Sequence, residues 1–248
     1  MNILSVGNSF SENAHTLLPR LMAADGSGDD FMLCNLYIGG CSLERHWNNL
    51  KKEEEAYDYQ VYLPGEVTRT DAPEVALHEP VEDEDWDFIT VQQVSGLAGV
   101  EESYSPYLEE IVGYLRLTKP TAKILFHQTW EYSPRTGHPD FARYGSDSEE
   151  MFRCINHATS MVQINADIDG IIPSGMAFHL ANQTALADQL YQEDGFHANP
   201  LGCYLGAGCF YEKITGKSIL DNPFVIPDYP PAYTDLLKVC IHTACEQY

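Results

Sequence analysis

Five short apolar runs constrain this chain more than any other feature. They fall at 3–6, 31–38, 88–91, 124–126 and 170–172, and each is closed within two residues by Gly, Gln or Pro. Runs of this length with continuous apolarity are how strands buried on both faces of a parallel sheet look, since neither face meets water. Helix-like stretches lie between them, at 11–24, 42–51, 105–118, 147–166, 200–216 and 232–246. The first offers Ser11 as a cap, and the third opens on Ser105-Pro106, a capping residue before a first-turn proline. Strand and helix alternate. The alternation predicts a three-layer α/β/α sandwich, flavodoxin-like, with a mainly parallel five-stranded sheet.

Two stretches break the rhythm. Tyr57, Tyr59, Val61 and Tyr62, then Pro64-Gly65, then Val67 and Thr68, suggest a small hairpin inserted at 56–86. Its acidic end, 82–85, reads as solvated surface. Prolines at 223, 227, 230 and 231 make 221–233 an extended connector rather than a domain linker. At 248 residues and with no internal repeat, the chain reads as one domain over 1–248.

Charge narrows the partners. Lys and Arg number 14 against 37 Asp and Glu, a formal net charge of −23, and the longest basic cluster is Lys51-Lys52. Nucleic acid and anionic membrane surfaces, both held by clustered cations, are therefore excluded as expected partners. A hydrophobic fraction of 44% excludes overall disorder. No run approaches the ~18 apolar residues of a membrane-spanning helix. The seven cysteines form no C-x-x-C pair, and no histidine cluster has metal-ligand spacing, so neither disulfides nor a metal or other cofactor is expected. A strand beginning at the first residues leaves no room for a signal peptide. As written the chain is expected in the cytoplasm, or in a secreted or periplasmic setting if a leader has been removed.

In open α/β sheets ligands bind beyond the carboxyl ends of the strands, so residues there carry the chemistry. Gly7-Asn8-Ser9-Phe10 puts a serine hydroxyl at a strand-to-helix turn, although serine is also a common helix cap. Ile38-Gly39-Gly40-Cys41-Ser42 lets backbone amides approach a ligand. Gln92-Gln93-Val94-Ser95-Gly96 places two side-chain amides where the third strand ends. Asp194-Gly195-Phe196-His197 sets a carboxylate three residues before an imidazole, able to hold the ring so that its far nitrogen faces a serine. His127 and Trp130, after the fourth strand, are candidates to line the mouth of the crevice, where aromatic residues suit a sugar ring, with a packed core tryptophan as the favoured alternative for Trp130 taken alone.

In this order and at these distances the four blocks resemble those of the SGNH/GDSL hydrolases, over the whole chain. The resemblance implies Ser9 as nucleophile, His197 as base, Asp194 as orienting acid, and the backbone amides of Ser9 and Gly40 as oxyanion donors. The family's Gly-x-Asn-Asp is absent from the third block, where Gln92, with Gln93 as the alternative, is left to supply a side-chain donor. Asn8 stands where most members carry Asp. The sequence resembles an uncharacterised branch with a Gly-Asn-Ser-Phe first block.

The leading reading is a serine esterase for a small acyl ester, with an acetylated sugar among the candidate substrates. A non-catalytic carbohydrate- or peptide-binding relative, and an acyltransferase or thioesterase using the same residues, stay open beside it.

Overall fold

A computed structural model describes residues 1–26, 31–62 and 70–248, with 70–73 described through the backbone alone. Strands β1 (Asn2–Gly7), β2 (Met32–Tyr37), β3 (Tyr57–Tyr62), β4 (Thr70–Val75), β5 (Phe88–Val91), β6 (Lys123–His127) and β7 (Gly170–Ile172) form one sheet in the order β4-β3-β2-β1-β5-β6-β7. The five expected strands make its parallel part. The count of five is too low, because the 56–86 excursion is not separate from the sheet: β3 pairs antiparallel with β2, and β4 with β3. Pro64-Gly65, Val67 and Thr68 lie outside the described residues, and side chains 82–85 are exposed, as expected of solvated surface.

Side-chain alternation divides the core into two layers. Ile3, Leu33, Leu125 and Ile172 pack on one face, and Leu4, Cys34, Ile124 and Ile171 on the other. The first face is covered by α1 (Ser9–His15), α2 (Leu18–Ala24), α7 (Ser174–Asn182), α8 (Pro200–Thr215) and α9 (Pro231–Glu246). The second is covered by α3 (Leu43–Lys52), α4 (His78–Asp83) and α5 (Tyr107–Thr118), with part of α6 (Ser148–Asn165). Helix α8 is buried nearly all round, consistent with its place at the centre of its layer. Asn199 caps it through Leu201 and Gly202, and Gly216 ends it at φ +70°.

The expected helix at 11–24 is two helices. Pro19 lacks an N–H and stands in the first turn of α2, so the chain restarts there instead of running on. The cap of α1 is Asn8 rather than Ser11, whose hydroxyl bonds Asn8 O and Asn35 Oδ1 instead. Gly7 is needed for this packing, because a Cβ there would stand 2.1 Å from Ser11 Oγ. Beneath α1 a polar row crosses the sheet: Thr90 Oγ1 donates to Ser5 Oγ, Ser5 Oγ bonds His15 Nε2, and Asn35 Nδ2 donates to Gln60 Oε1.

The chain leaves β1 toward β2 on one side and later returns to β5 on the other, so the strand order reverses at β1. Ser9 follows the end of that strand directly. None of the seven cysteines is disulfide-bonded. Among the described residues no helix is long and apolar enough to cross a membrane.

Candidate active site

At the carboxyl edge of the sheet the turns after β1, β2 and β5 meet the loop that precedes α8. They enclose a crevice of about 230 Å³ lined by Ser9, Gly40, Ser95 and His197, with Tyr37, His138 and Phe196 at its walls. A larger groove of about 920 Å³ lies beside Asn13, Arg20 and Tyr229. Size does not choose between them; the small crevice alone carries a hydroxyl, an imidazole and a carboxylate in line.

His197 Nε2 lies 2.9 Å from Ser9 Oγ, and His197 Nδ1 lies 2.6 Å from Asp194 Oδ2. The second carboxylate oxygen of Asp194 accepts the backbone N–H groups of Phe196 and His197, each at 3.0 Å. Burial raises the pKa of this carboxyl, but those N–H groups and the His197 ring outweigh it and hold the pKa below the usual aspartate value. The turn is fixed from outside as well. Gly195 adopts φ +75°, its carbonyl accepts from Ser133 N at 2.8 Å, and a Cβ there would press on the Thr136 backbone at 2.9 Å. Asn13 Oδ1 accepts from Ala198 N, joining α1 to the segment that carries the base.

Gly40 sits at φ +61° in an exposed turn, a conformation glycine adopts without a Cβ clash. Among the described residues neither the Ser9 N–H nor the Gly40 N–H has a protein acceptor. Both residues line the crevice.

The third block differs from expectation. Gln92 is buried and spends its amide inside the protein: Nε2 donates to Asn8 Oδ1 at 2.7 Å, and Oε1 lies 2.9 Å from His127 Nδ1. Gln93 is also buried. Its Oε1 accepts from Leu43 N and Val94 N, and its Nε2 donates to the carbonyl and hydroxyl of Ser103. Neither glutamine lines the crevice, and both side chains are held by partners inside the protein. Two third-block residues line it, Val94 and Ser95, and the polar one is Ser95, whose only sequence signal is its place two residues beyond that glutamine pair.

The two candidates for the mouth are instead buried beneath it. Trp130 is sandwiched between Phe10, at 4.2 Å between ring centres, and Phe178, at 4.3 Å, and its Nε1 donates to Phe196 O. It thus braces the residue after Ser9 and the residue before His197. Phe10 and Phe178 occupy both faces of the indole, which is the packed-core alternative for Trp130. Burial lowers the pKa of His127 to about 3, so its ring is neutral. Because Gln92 Oε1 can only accept, Nδ1–H donates to it, and Nε2 accepts from Ser174 Oγ at 3.0 Å. Among the described residues no three His, Cys, Asp or Glu side chains come together as a metal site.

A family model described as "Domain of unknown function (DUF4886)" matches residues 2–244. The chain belongs to the DUF4886 family. A DUF4886 protein from Bacteroides uniformis is 32% identical, with a TM-score of 0.93 over 98% of this chain and 94% of that one. A candidate SGNH hydrolase from Slackia heliotrinireducens is 22% identical, with a TM-score of 0.61 over 86% and 98%. A catalytic mutant of an acetylxylan esterase from Geobacillus stearothermophilus is 12% identical, with a TM-score of 0.53 over 86% and 93%. These last two show that this DUF4886 chain shares the fold of SGNH-type hydrolases and esterases. No curated protein matches the sequence.

Proposed function

We propose that this DUF4886 protein is a serine esterase acting on small acyl esters, with O-acetyl groups on carbohydrate as the favoured substrate class. The observation that carries the reading is the unbroken line of hydrogen bonds from Asp194 through His197 to Ser9, drawn from segments more than 180 residues apart. In this reading Ser9 Oγ attacks the ester carbonyl as its proton passes to His197 Nε2. Asp194, accepting from Nδ1–H, holds the ring and stabilises the imidazolium. The tetrahedral oxyanion is met by the N–H groups of Ser9 and Gly40. Collapse breaks the bond to the alcohol, which leaves with the proton from His197. Water, deprotonated by the same imidazole, then attacks the acyl-Ser9 carbonyl; the bond to Ser9 Oγ breaks, the acid leaves, and His197 returns the proton to Ser9 Oγ.

Two features support the substrate class. A crevice of about 230 Å³ suits a short acyl chain, and Tyr37, His138 and Phe196 offer ring faces on which a sugar could stack. The fold is shared with an acetylxylan esterase and with a carbohydrate esterase of family 3 from Talaromyces cellulolyticus. The test is a panel of 4-nitrophenyl esters of increasing acyl length together with acetylated sugars. Turnover should be best for acetyl, and Ser9→Ala should lower it by on the order of 10³-fold or more. Equal turnover by wild type and Ser9→Ala would overturn the reading.

A further inference from the structure

We propose that Ser95 is a catalytic residue whose hydroxyl donates the side-chain hydrogen bond to the oxyanion, with Tyr132 as the positioning residue that aims it. This rests on the esterase reading and adds to it a side-chain donor at a residue that lines the crevice, which neither glutamine does.

Ser95 Oγ and Tyr132 Oη lie 2.7 Å apart, and each is the other's only side-chain hydrogen-bond partner among the described residues. Two hydroxyls that share one bond leave one hydrogen over. Tyr132 is fully enclosed, with His138, Phe141 and Phe196 packed around its ring. Burial pushes the pKa of its hydroxyl up, so it stays protonated. Were Ser95 the donor, the Tyr132 hydrogen would be stranded in a dry interior, at a cost of about 1–3 kcal/mol. Were Tyr132 the donor, the leftover hydrogen would belong to Ser95, which lines the crevice with Ser9, Gly40 and His197. The second arrangement is favoured, and it leaves an O–H free on the crevice side.

The backbone holds Ser95 in that place. Gln93 Oε1 gathers the N–H groups of Leu43 and Val94, so the turn after β5 is tied to the start of α3 just beyond the Gly40 turn. Gly96 follows at a point where a Cβ would stand 2.3 Å from Asp140 Oδ2, and Tyr144 Oη donates to Gly96 O. A donor fixed before substrate arrives needs no reorganisation as charge develops on the carbonyl oxygen.

The test is steady-state kinetics on 4-nitrophenyl acetate with wild type, Ser9→Ala, Ser95→Ala, Ser95→Thr and the double variant Ser95→Ala/Tyr132→Phe. The double variant matters because Ser95→Ala alone strands the Tyr132 hydroxyl, whereas removing both partners leaves no buried group unpaired. Ser95→Ala and the double variant should each lower kcat by about 10²–10³-fold, with KM within about 2-fold. Ser95→Thr, which keeps the hydroxyl, should retain most of the rate. If a folded double variant keeps kcat within about 3-fold of wild type while Ser9→Ala is inactive, the esterase reading stands and Ser95 is not a donor. Equal losses in Ser95→Thr and Ser95→Ala would also overturn the proposal, since the hydroxyl would then be immaterial. If wild type is no faster than Ser9→Ala, the esterase reading fails and this proposal fails with it.

Discussion

Gln92 Nε2 donates to Asn8 Oδ1 over 2.7 Å, and the same oxygen accepts the Phe10 N–H that opens α1. Asn8 Nδ2 in turn donates to Cys41 O, one residue beyond Gly40. One side chain thus ties together the ends of β1, β2 and β5, the three strands whose turns build the crevice. An aspartate at position 8 could accept from Gln92 and Phe10 but would have no hydrogen for Cys41 O, which gives a physical reason for asparagine here.

Gln92→Leu should therefore act first on stability. The substitution keeps the volume but leaves the His127 Nδ1–H donor without its acceptor and frees Asn8 from β5. A loss of about 1–3 kcal/mol is expected from urea unfolding. Among folded molecules kcat should fall less than in Ser95→Ala. An unfolding midpoint unchanged from wild type would contradict this account of Gln92.

The contrast between Gln92 and Ser95 shows what the sequence could and could not reveal. Ser9, Gly40, Asp194 and His197 stand in short turns whose geometry is nearly local: a serine after a strand, a glycine at positive φ, a carboxylate three residues before an imidazole. Gln92 is next to a strand end, and alternation from Thr90 gives its strand face. A strand face does not say whether a side chain stops at its neighbours or passes on to a crevice. Asn8 and His127, 84 and 35 residues away, decide that. The parallel strands were legible from apolar continuity, whereas the pairing of β3 with β2 was not, because alternation in 57–62 marks a strand without naming its partner. Helix α7 escaped because it opens on Ser174-Gly175 and buries mainly small residues around Phe178.

Asp194→Asn should separate orientation from charge. The amide can still accept from Phe196 N and His197 N, so the turn is kept. A side-chain N–H facing His197 Nδ1, however, forces the ring proton onto Nε2, where Ser9 needs an acceptor. A fall in kcat of about 10³–10⁴-fold is expected, as in other serine–histidine–acid systems. A change of less than about 10-fold would mean that Asp194 does not set the tautomer.

Stability should fall in acid before the carboxylates titrate. Burial lowers the pKa of His15, His46 and His127 to about 3, against 6.5 for the free side chain. Between those values the unfolded chain binds protons that the folded one refuses. The stabilisation is therefore complete above pH 6.5 and is lost as the pH falls toward 3, each histidine adding about 1.4 kcal/mol per pH unit to the slope. Glu131 works in the opposite sense. Its pKa is raised by burial from 4.5 to about 7, so its contribution is complete below pH 4.5 and lost as the pH rises through 7. Urea midpoints from pH 8 to 4 should fall on the acid side, and Glu131→Gln should gain stability relative to wild type as the pH rises from 5 to 8. A midpoint flat from pH 6.5 to 4.5 would contradict the burial of three neutral histidines.

Trp130 allows the support of the site to be told apart from its lining. A residue on the crevice wall would alter substrate preference when changed, whereas a brace beneath it would alter the placement of the reacting groups. Trp130 stacks on Phe10 and donates to Phe196 O, so both neighbours of the Ser9–His197 hydrogen bond rest on it. Trp130→Ala should cost about 3–5 kcal/mol through the cavity it opens between Phe10 and Phe178. Trp130→Phe keeps a ring in the stack but leaves Phe196 O without its donor, so it should cost less and remain folded. In Trp130→Phe, kcat for a short acyl ester should fall by about 10-fold or more, because small displacements of reacting groups are expensive. KM and the order of preference among acyl lengths should stay as in wild type. A variant with unchanged kcat and a shifted acyl preference would return Trp130 to the crevice wall and contradict its role as the brace between Phe10 and Phe196.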